Sequence, residues 1–378
     1  MKKIRVGMIG CGNISTAYCR GAANSNLIEL VACADLNHEA AVEKANEFGL
    51  EALDVDGLLA RDDIEIVINI TVPLAHAVVS HRILDAGKHV YSEKPLADQV
   101  ADARPMLAAA ASKGLRIGCA PDTFLGGAHQ ACRHAIDAGI IGKITGGSAA
   151  VLNHGMEDWH PNPAFFFQRG GGPLLDLGPY YITQLVNLIG PIRAVSAIAS
   201  KAYTKRTVGS GARAGESFDV NVPTTVNGAL LFENGANVAI SASWDCWQHQ
   251  RAPLEIYGSE GSMLVPDPNF FGGSPQTSKQ GGAFTGLPID GMPFGTPNRE
   301  DGDGTPVADY RIIGLIDMAA AIAQGRPHRA NGGLALHVLE VLEALESAAK
   351  TGQQVTIESS CARPEPLPAG RDETVFLQ

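Results

Sequence analysis

Ile4-Arg5-Val6-Gly7-Met8-Ile9-Gly10-Cys11-Gly12-Asn13-Ile14-Ser15 decides the fold of this chain. A short apolar run closes on two glycines and passes into a helical pattern that continues to about Ala23. A strand hands over to a helix in this way when the turn between them must admit a phosphate. Glycine lets the backbone turn sharply and leaves the helix N–H groups open to an anion. Ser15 stands where a third glycine is usual; it is small, but it carries a Cβ toward the strand. Asp35 ends the next strand, Leu27–Ala34, and suits an acceptor for ribose hydroxyls, while its charge would repel a 2′-phosphate. No arginine follows in Leu36-Asn37, so NAD is the expected cofactor, held by Gly10, Gly12, Asn13, Ile14 and Asp35. The competing reading makes both glycines plain turn residues and Asp35 a helix cap.

The same alternation continues. A polar helix starts at His38, an apolar strand spans Ile66–Ile70, and a helix runs from about Ala75 to Ala86. The strand His89–Ser92, an Ala-rich helix to about Lys113 and a strand Arg116–Cys119 close the series. Apolar strands separated by helices predict a parallel, doubly wound α/β sheet. After about Asp122 the texture changes. A helix near Gly126–Ala138 precedes strand-like runs, of which Val226–Phe232 and Ala236–Trp244 flank Asn234-Gly235, a hairpin signal if both turn residues take positive φ. In the second arm Val238, Ile240 and Ala242 share one side, as in a half-buried antiparallel strand. Residues 266–309 are crowded with Gly and Pro and read as a long surface loop. Helices at about Ile312–Ala323 and Leu334–Lys350 follow, then a Pro-containing tail.

The 378 residues carry 29 Lys+Arg against 40 Asp+Glu, a net charge of −11. Nucleic-acid binding needs a clustered positive face, so that class is excluded. With 45% hydrophobic and 18% charged residues the chain fills a sizeable core. The N-terminus lacks the long apolar stretch of a signal peptide, and no stretch reaches the roughly 18 apolar residues of a membrane helix. Seven scattered cysteines without C-x-x-C read as reduced thiols, and the expected compartment is the cytoplasm. His76/His81 and His129/His134 lie on different helix faces, so no metal site is expected.

Tyr91-Ser92-Glu93-Lys94-Pro95-Leu96 follows the fifth strand. Pro95 keeps Lys94 extended at the strand's carboxyl end, where ligands of open α/β sheets bind. A lysine there can hold a substrate hydroxyl and stabilise the alkoxide that forms as hydride leaves. Together with the glycine turn and Gly170-Gly171-Gly172-Pro173-Leu174-Leu175-Asp176-Leu177-Gly178-Pro179-Tyr180, this segment resembles the glucose–fructose oxidoreductase / inositol dehydrogenase family, written Gfo/Idh/MocA, over the chain to about residue 360. The resemblance implies an N-terminal Rossmann domain (1–122), a C-terminal α+β domain with a large, mainly antiparallel open sheet (123–362) and a tail (363–378). It also implies oxidation or reduction of sugars and cyclic polyols with NAD(H) or NADP(H). Glu93 and Lys94 would lie beside the nicotinamide, and Thr71, Pro73 and His76 match the turn after the fourth strand that usually touches the cofactor.

Asp176 and Gly178 match the family's D-x-G-x-H motif, but Tyr180 stands at its histidine and Thr183 at the aspartate three positions on. Some branches of the family resemble this chain in having tyrosine there, which implies a Lys94/Tyr180 acid–base pair with Asp176 orienting one of the two. Pro179 is read as the first residue of a helix, with Ile182, Leu185, Val186 and Ile189 on its apolar stripe. Tyr181 is the rival, either core or substrate-binding. His154 and His160 flank Met156-Glu157-Asp158-Trp159 in a loop that suits a sugar pocket, or are plain surface histidines. His337 is read as packing, and Gly258–Ser262 as a turn. The outer face of the second sheet, with Val238, Ile240, Trp244 and Trp247, is expected to meet another subunit in a homodimer or homotetramer. Two other functions stay open: a glycoside-modifying enzyme using transient oxidation, and a nucleotide-sensing regulator without catalysis.

Overall fold

Strands β1 (Ile4–Ile9), β2 (Ile28–Ala34), β3 (Glu51–Leu53), β4 (Ile66–Asn69), β5 (His89–Ser92) and β6 (Ile117–Cys119) pair in the order β3-β2-β1-β4-β5-β6, every pair parallel. The computed structural model that shows this describes residues 2–160, 162–300 and 304–378. Helices α1 (Ser15–Ala23), α2 (His38–Phe48), α3 (Val55–Leu59), α4 (His76–Asp85) and α5 (Val100–Ser112) make the crossovers. All four residues of β4 are buried, as a strand covered on both faces requires. The strand order reverses at β1, whose neighbours are β2 and β4, so the turns after β1, β4 and β5 open on one crevice.

Helix α6 (Gly127–Asp137) leads into a second sheet. It comprises β7 (Ile144–Leu152), β8 (Ile192–Ser200), β11 (Thr225–Phe232), β12 (Asn237–Ser243), β13 (Leu254–Gly258), β14 (Gly261–Val265), β15 (Gln276–Lys279), β16 (Thr285–Gly286) and β19 (Val355–Thr356). The order is β16-β15-β14-β13-β7-β12-β11-β8-β19, antiparallel except between β7 and β12. Two small ribbons, β9 (Lys205–Thr207) with β10 (Ser217–Asp219) and β17 (Arg299–Glu300) with β18 (Pro306–Val307), stand beside it. Helices α7 (Pro173–Ile189), α8 (Ile313–Gln324) and α9 (Gly332–Thr351) complete the chain; α7 and α9 pack on the inner face of the sheet. No helix of the described residues is long and apolar enough to cross a membrane.

Five expectations need correction. Residues 266–309 are not a bare loop: β15 and β16 extend the sheet, and Phe271 and Phe294 are buried, so polar edge strands hid within a Gly/Pro-rich composition. Val238, Ile240 and Trp244 lie on the inner side, fully buried; of the four residues expected outside, only Trp247 is exposed (74%). Alternation along β12 puts Asn237, Ala239 and Ser241 outward instead. Pro179 is interior to α7, because Pro173 already occupies the first turn behind Gly172. In the Asn234-Gly235 turn only glycine takes positive φ, since Asn234 turns its side chain back to accept from the Ala236 N–H (2.9 Å). The tail also does more than trail: Phe376 is buried against Phe294, and Glu373 accepts from the hydroxyl of Ser25 (2.6 Å) and the N–H of Asn26 (2.5 Å). His337 packs as expected, its Nε2 accepting from the Ile192 N–H (3.0 Å). The Ser259-Glu260 segment is the turn between β13 and β14.

Candidate active site

The two glycines after β1 have different reasons to be glycine. Gly10 sits at φ 106, where a Cβ would lie 2.5 Å from the carbonyl oxygen of Ile70 at the end of β4. The chain's own sterics demand it. At Gly12 φ is not positive and a Cβ would meet nothing within 4 Å. Open space held over the N-terminus of α1 fits a pyrophosphate drawn to free helix N–H groups. Ser15 closes the turn, its hydroxyl donating to the Gly12 carbonyl at 2.6 Å. Asn13 and Ile14 line the adjoining cleft.

Asp35 braces that turn from β2. Its Oδ2 accepts from the Cys11 N–H (2.7 Å) and its Oδ1 from the Asn37 N–H (2.8 Å). The cap of α2 is Asn37, which accepts from the Glu39 N–H, so Asp35 is no helix cap. Each carboxylate oxygen keeps a lone pair for a ribose hydroxyl. After β4, the Thr71 hydroxyl donates to the Asn69 side-chain oxygen (2.8 Å), and Pro73 opens a short 3-10 turn into α4. His76 is buried with Nδ1 2.6 Å from the Pro95 carbonyl and Nε2 3.1 Å from the Thr71 carbonyl. Burial lowers its pKa, and a neutral ring donates to one of the two. It rivets the two turns together.

Lys94 is brought to α7. Its ammonium donates to the Asp176 carboxylate (2.9 Å) and to the Asp176 main-chain carbonyl (2.7 Å), and lies 5.3 Å from the centre of the Tyr180 ring. Burial, the largest single effect, pulls the lysine down; the charge and hydrogen bond of Asp176, with Tyr180 and Glu93, together outweigh it and hold the ammonium above its ordinary range. Two of its three N–H donors are used, leaving one. Glu93 is buried beneath, accepting from the Tyr18 hydroxyl (2.8 Å) and from the Lys94 N–H (2.9 Å).

The Tyr180 hydroxyl accepts from Arg311 Nη1 at 3.4 Å, and among the described residues nothing accepts the hydroxyl's own proton. The Arg311 guanidinium loses by burial but gains more from Tyr180 and Glu93, which hold it firmly protonated. Tyr181 faces elsewhere. Its hydroxyl donates to Asp267 (3.2 Å), and burial raises both groups.

The loop with the two histidines rests on a buried cation. Arg206 pairs with Glu157 and with Asp245 (2.5 Å), and donates to the carbonyls of His154 and Trp244, both at 2.8 Å. His154 stacks on Trp247, with ring centres 3.3 Å apart. His160 packs edge-on against Trp159, Phe165 and Phe166. Neither histidine contacts Lys94 or Tyr180. Trp159, 68% exposed, lines a cleft of 1350 Å³ together with Phe294, Tyr310 and Arg311. Among the described residues no cluster of three or more His, Cys, Asp or Glu is placed to hold a metal ion.

Sequence reasoning missed Arg311, Tyr18 and the Asp267 partner of Tyr181. Only the position of Tyr310-Arg311, polar residues abutting an apolar helix, hinted at the first.

Residues 4–120 match an oxidoreductase family with an NAD-binding Rossmann fold, and residues 129–264 match the GFO/IDH/MocA C-terminal domain. A dTDP-3,4-didehydro-2,6-dideoxy-alpha-D-glucose 3-reductase of Streptomyces violaceoruber is 31% identical over 273 residues, 70% of this chain and 73% of the relative. The 1,5-anhydro-D-fructose reductase of Ensifer adhaerens is 26% identical over 370 residues, 94% and 99% of the two chains. A levoglucosan dehydrogenase solved with NADH and levoglucosan shares the fold, at a TM-score of 0.80 and 23% identity over 94% of this chain and 100% of that one.

Proposed function

This chain belongs to the GFO/IDH/MocA oxidoreductases with an NAD-binding Rossmann fold, and we propose that it moves a hydride between a sugar or cyclic polyol and NAD, with Lys94 and Tyr180 handling the proton. One observation carries the reading. The Tyr180 hydroxyl receives a hydrogen bond from Arg311 and keeps its own proton unclaimed, while Lys94, 5.3 Å from the ring, keeps one donor free.

Bound NAD supplies the hydride acceptor, or NADH the donor. In the reducing direction Tyr180 gives its proton to the carbonyl oxygen as that oxygen gains charge, and the spare N–H of Lys94 holds the same oxygen. Oxidation runs through the same atoms in reverse, phenolate to phenol. Asp176 fixes the ammonium at both its carboxylate and its carbonyl, so Lys94 reaches the oxygen without a search through rotamers. Gly12, Asn13, Ile14 and Asp35 hold the dinucleotide, with Thr71, Pro73, Glu93 and the His76 rivet shaping the nicotinamide end. Trp159 gives a sugar ring an apolar face, and His154 and His160 support that loop through their stacks.

The test is a screen of sugars and inositols with NAD, read at the NADH absorbance. Accumulating NADH supports the reading. Turnover of a glycoside without net NADH would replace it with transient oxidation, and cofactor binding without any turnover would replace it with a sensor.

The outer face of the second sheet supports assembly with a second copy in a homodimer or homotetramer. Asn227, Ala229 and Ala239 make it flat, and Ile198 stands 71% exposed on it. A monomer in light scattering at micromolar concentration would overturn that part.

A further inference from the structure

We infer that Arg311 is an anion anchor, and that the substrate carries a carboxylate within one or two bonds of the carbon that exchanges hydride: a sugar acid or polyhydroxy acid in place of a neutral sugar. This rests on the function proposed above and narrows its substrate class.

A mostly buried guanidinium normally sits against a carboxylate, because removing it from water without a partner is costly. Arg311 has none. Its one hydrogen bond is to the Tyr180 hydroxyl at 3.4 Å, and no carboxylate pairs with it among the described residues. Glu93, whose charge helps hold Arg311 protonated, makes no ion pair with it and already accepts from the Tyr18 hydroxyl and the Lys94 N–H. Asp122, also close, is engaged by the Gly314 N–H at 3.0 Å. A guanidinium has five N–H donors, so most remain free, and Arg311 lines the 1350 Å³ cleft.

The backbone behind it is held at some cost. Ile312 is a β-branched residue at φ 89, a strained conformation, and it is buried. Gly21 of α1 makes room for it: a Cβ there would lie 2.5 Å from the Arg311 carbonyl oxygen. The packing of Ile312 against Gly21 fixes where Arg311 leaves the backbone.

Charge along the cleft agrees. Asp309, which also lines it, is matched by Arg299 at 2.8 Å. Glu373 is bound to Ser25 and Asn26. The acids are occupied locally, while Arg311 faces the cleft with donors to spare, in a chain whose net charge is −11. Because the same guanidinium touches the Tyr180 oxygen, an anion paired with it falls next to the reacting carbon. Planar, forked donors match a carboxylate in two contacts.

The experiment compares gluconate with glucose and galacturonate with galactose, using NAD and the full chain. The acids should win in kcat/KM by about 100-fold. Arg311→Met should lower kcat for acids and neutral sugars alike through the lost bond to Tyr180, and should erase the acid preference by raising KM for the acids alone; Arg311→Lys should restore part of that preference. Gluconate binding to the NADH complex, followed by quenching of tryptophan fluorescence, should weaken in parallel in Arg311→Met. If neutral sugars are oxidised in preference to acids, this inference fails while the proposed function stands. If neither class turns over in any variant, the proposed function itself fails. If Arg311→Met weakens NADH binding and leaves the acid preference intact, the anion is the cofactor's pyrophosphate and the inference is overturned.

Discussion

Tyr180 and Tyr181 are adjacent in sequence, yet their hydroxyls serve different partners: one accepts from Arg311 at 3.4 Å, the other donates to Asp267 at 3.2 Å. Successive helix positions lie about 100° apart, so one tyrosine can turn to Arg311 and Lys94 while its neighbour ties α7 to the segment after β14.

Tyr180→Phe should lower kcat by roughly 10²–10⁴ while leaving NADH affinity nearly unchanged. Tyr181→Phe should keep turnover and lose about 1 kcal/mol of stability with its hydrogen bond. Steady-state rates and thermal melts on both variants separate the roles. Normal turnover in Tyr180→Phe with collapse in Tyr181→Phe would move the chemistry one residue along.

Lys94 and Asp176 should behave as one unit. Lys94→Ala should cost at least as much kcat as Tyr180→Phe, and the Lys94→Ala/Tyr180→Phe double variant little more than the worse single, since both act on one proton transfer. Asp176→Asn removes the largest influence opposing burial at the ammonium and leaves only Tyr180 and Glu93 against it, so Lys94 should lose its proton at lower pH. The variant should then lose activity on the alkaline side, where the parent does not. An alkaline limb shared equally by both proteins would count against this coupling.

The two glycines should separate folding from binding. Gly10→Ala forces a Cβ onto the Ile70 carbonyl at positive φ and should destabilise the fold by roughly 1–3 kcal/mol. Gly12→Ala should fold normally yet bind NADH at least about tenfold more weakly, because its methyl group occupies the space left for the pyrophosphate. Calorimetry and fluorescence titration read the two effects.

Asp35 should favour NAD over NADP, and Asp35→Ser should narrow that preference about tenfold, roughly 1.4 kcal/mol. Its bond to the Cys11 N–H adds a second effect: the glycine turn loosens, so NAD itself should bind more weakly in Asp35→Ser than in Asp35→Asn, which keeps an acceptor. A parent protein preferring NADP in titration would refute the assignment.

Stability should fall on the acid side. Burial pushes His129 and His328 down to about 4, against about 6.5 in an unfolded chain. Between those values the unfolded chain binds protons that the fold refuses, so stability drops as pH falls from about 6.5 to about 4. Asp122, pushed up to about 6 by burial, has the opposite sign: from about 3.9 to about 6 the fold retains a proton the unfolded chain releases, and its contribution is lost as pH rises. Asp122→Asn removes the opposing slope and should steepen the acid-side fall in Tm. An unchanged slope would show that Asp122 titrates normally.

Much of this was legible in the chain. The parallel sheet followed from apolar strands punctuated by Gly10-Cys11-Gly12 and by Glu93-Lys94-Pro95, because local chemistry fixes those turns. The outer face was misjudged at Val238, Ile240 and Trp244: alternation states which residues share a side, and only packing states which side is in. β15 was hidden because Gln276–Lys279, one strand in from the sheet edge at β16, is polar and carries no apolar row. Arg311, hinted at only by its place before an apolar helix, was missed for a different reason. It lies 131 positions from Tyr180, and no local pattern announces a partner that distant.

The clasp of Glu373 on Ser25 and Asn26 joins positions 348 and 347 residues apart. During synthesis the strands from Ile4 to Cys119 emerge long before that carboxylate exists, so the nucleotide-binding sheet must assemble with one rim of its cleft unfinished. A growing chain therefore cannot close the rim that carries Asn24 and Ser25 until the segment around Glu373 has been made, some 347 residues after the turn it clasps.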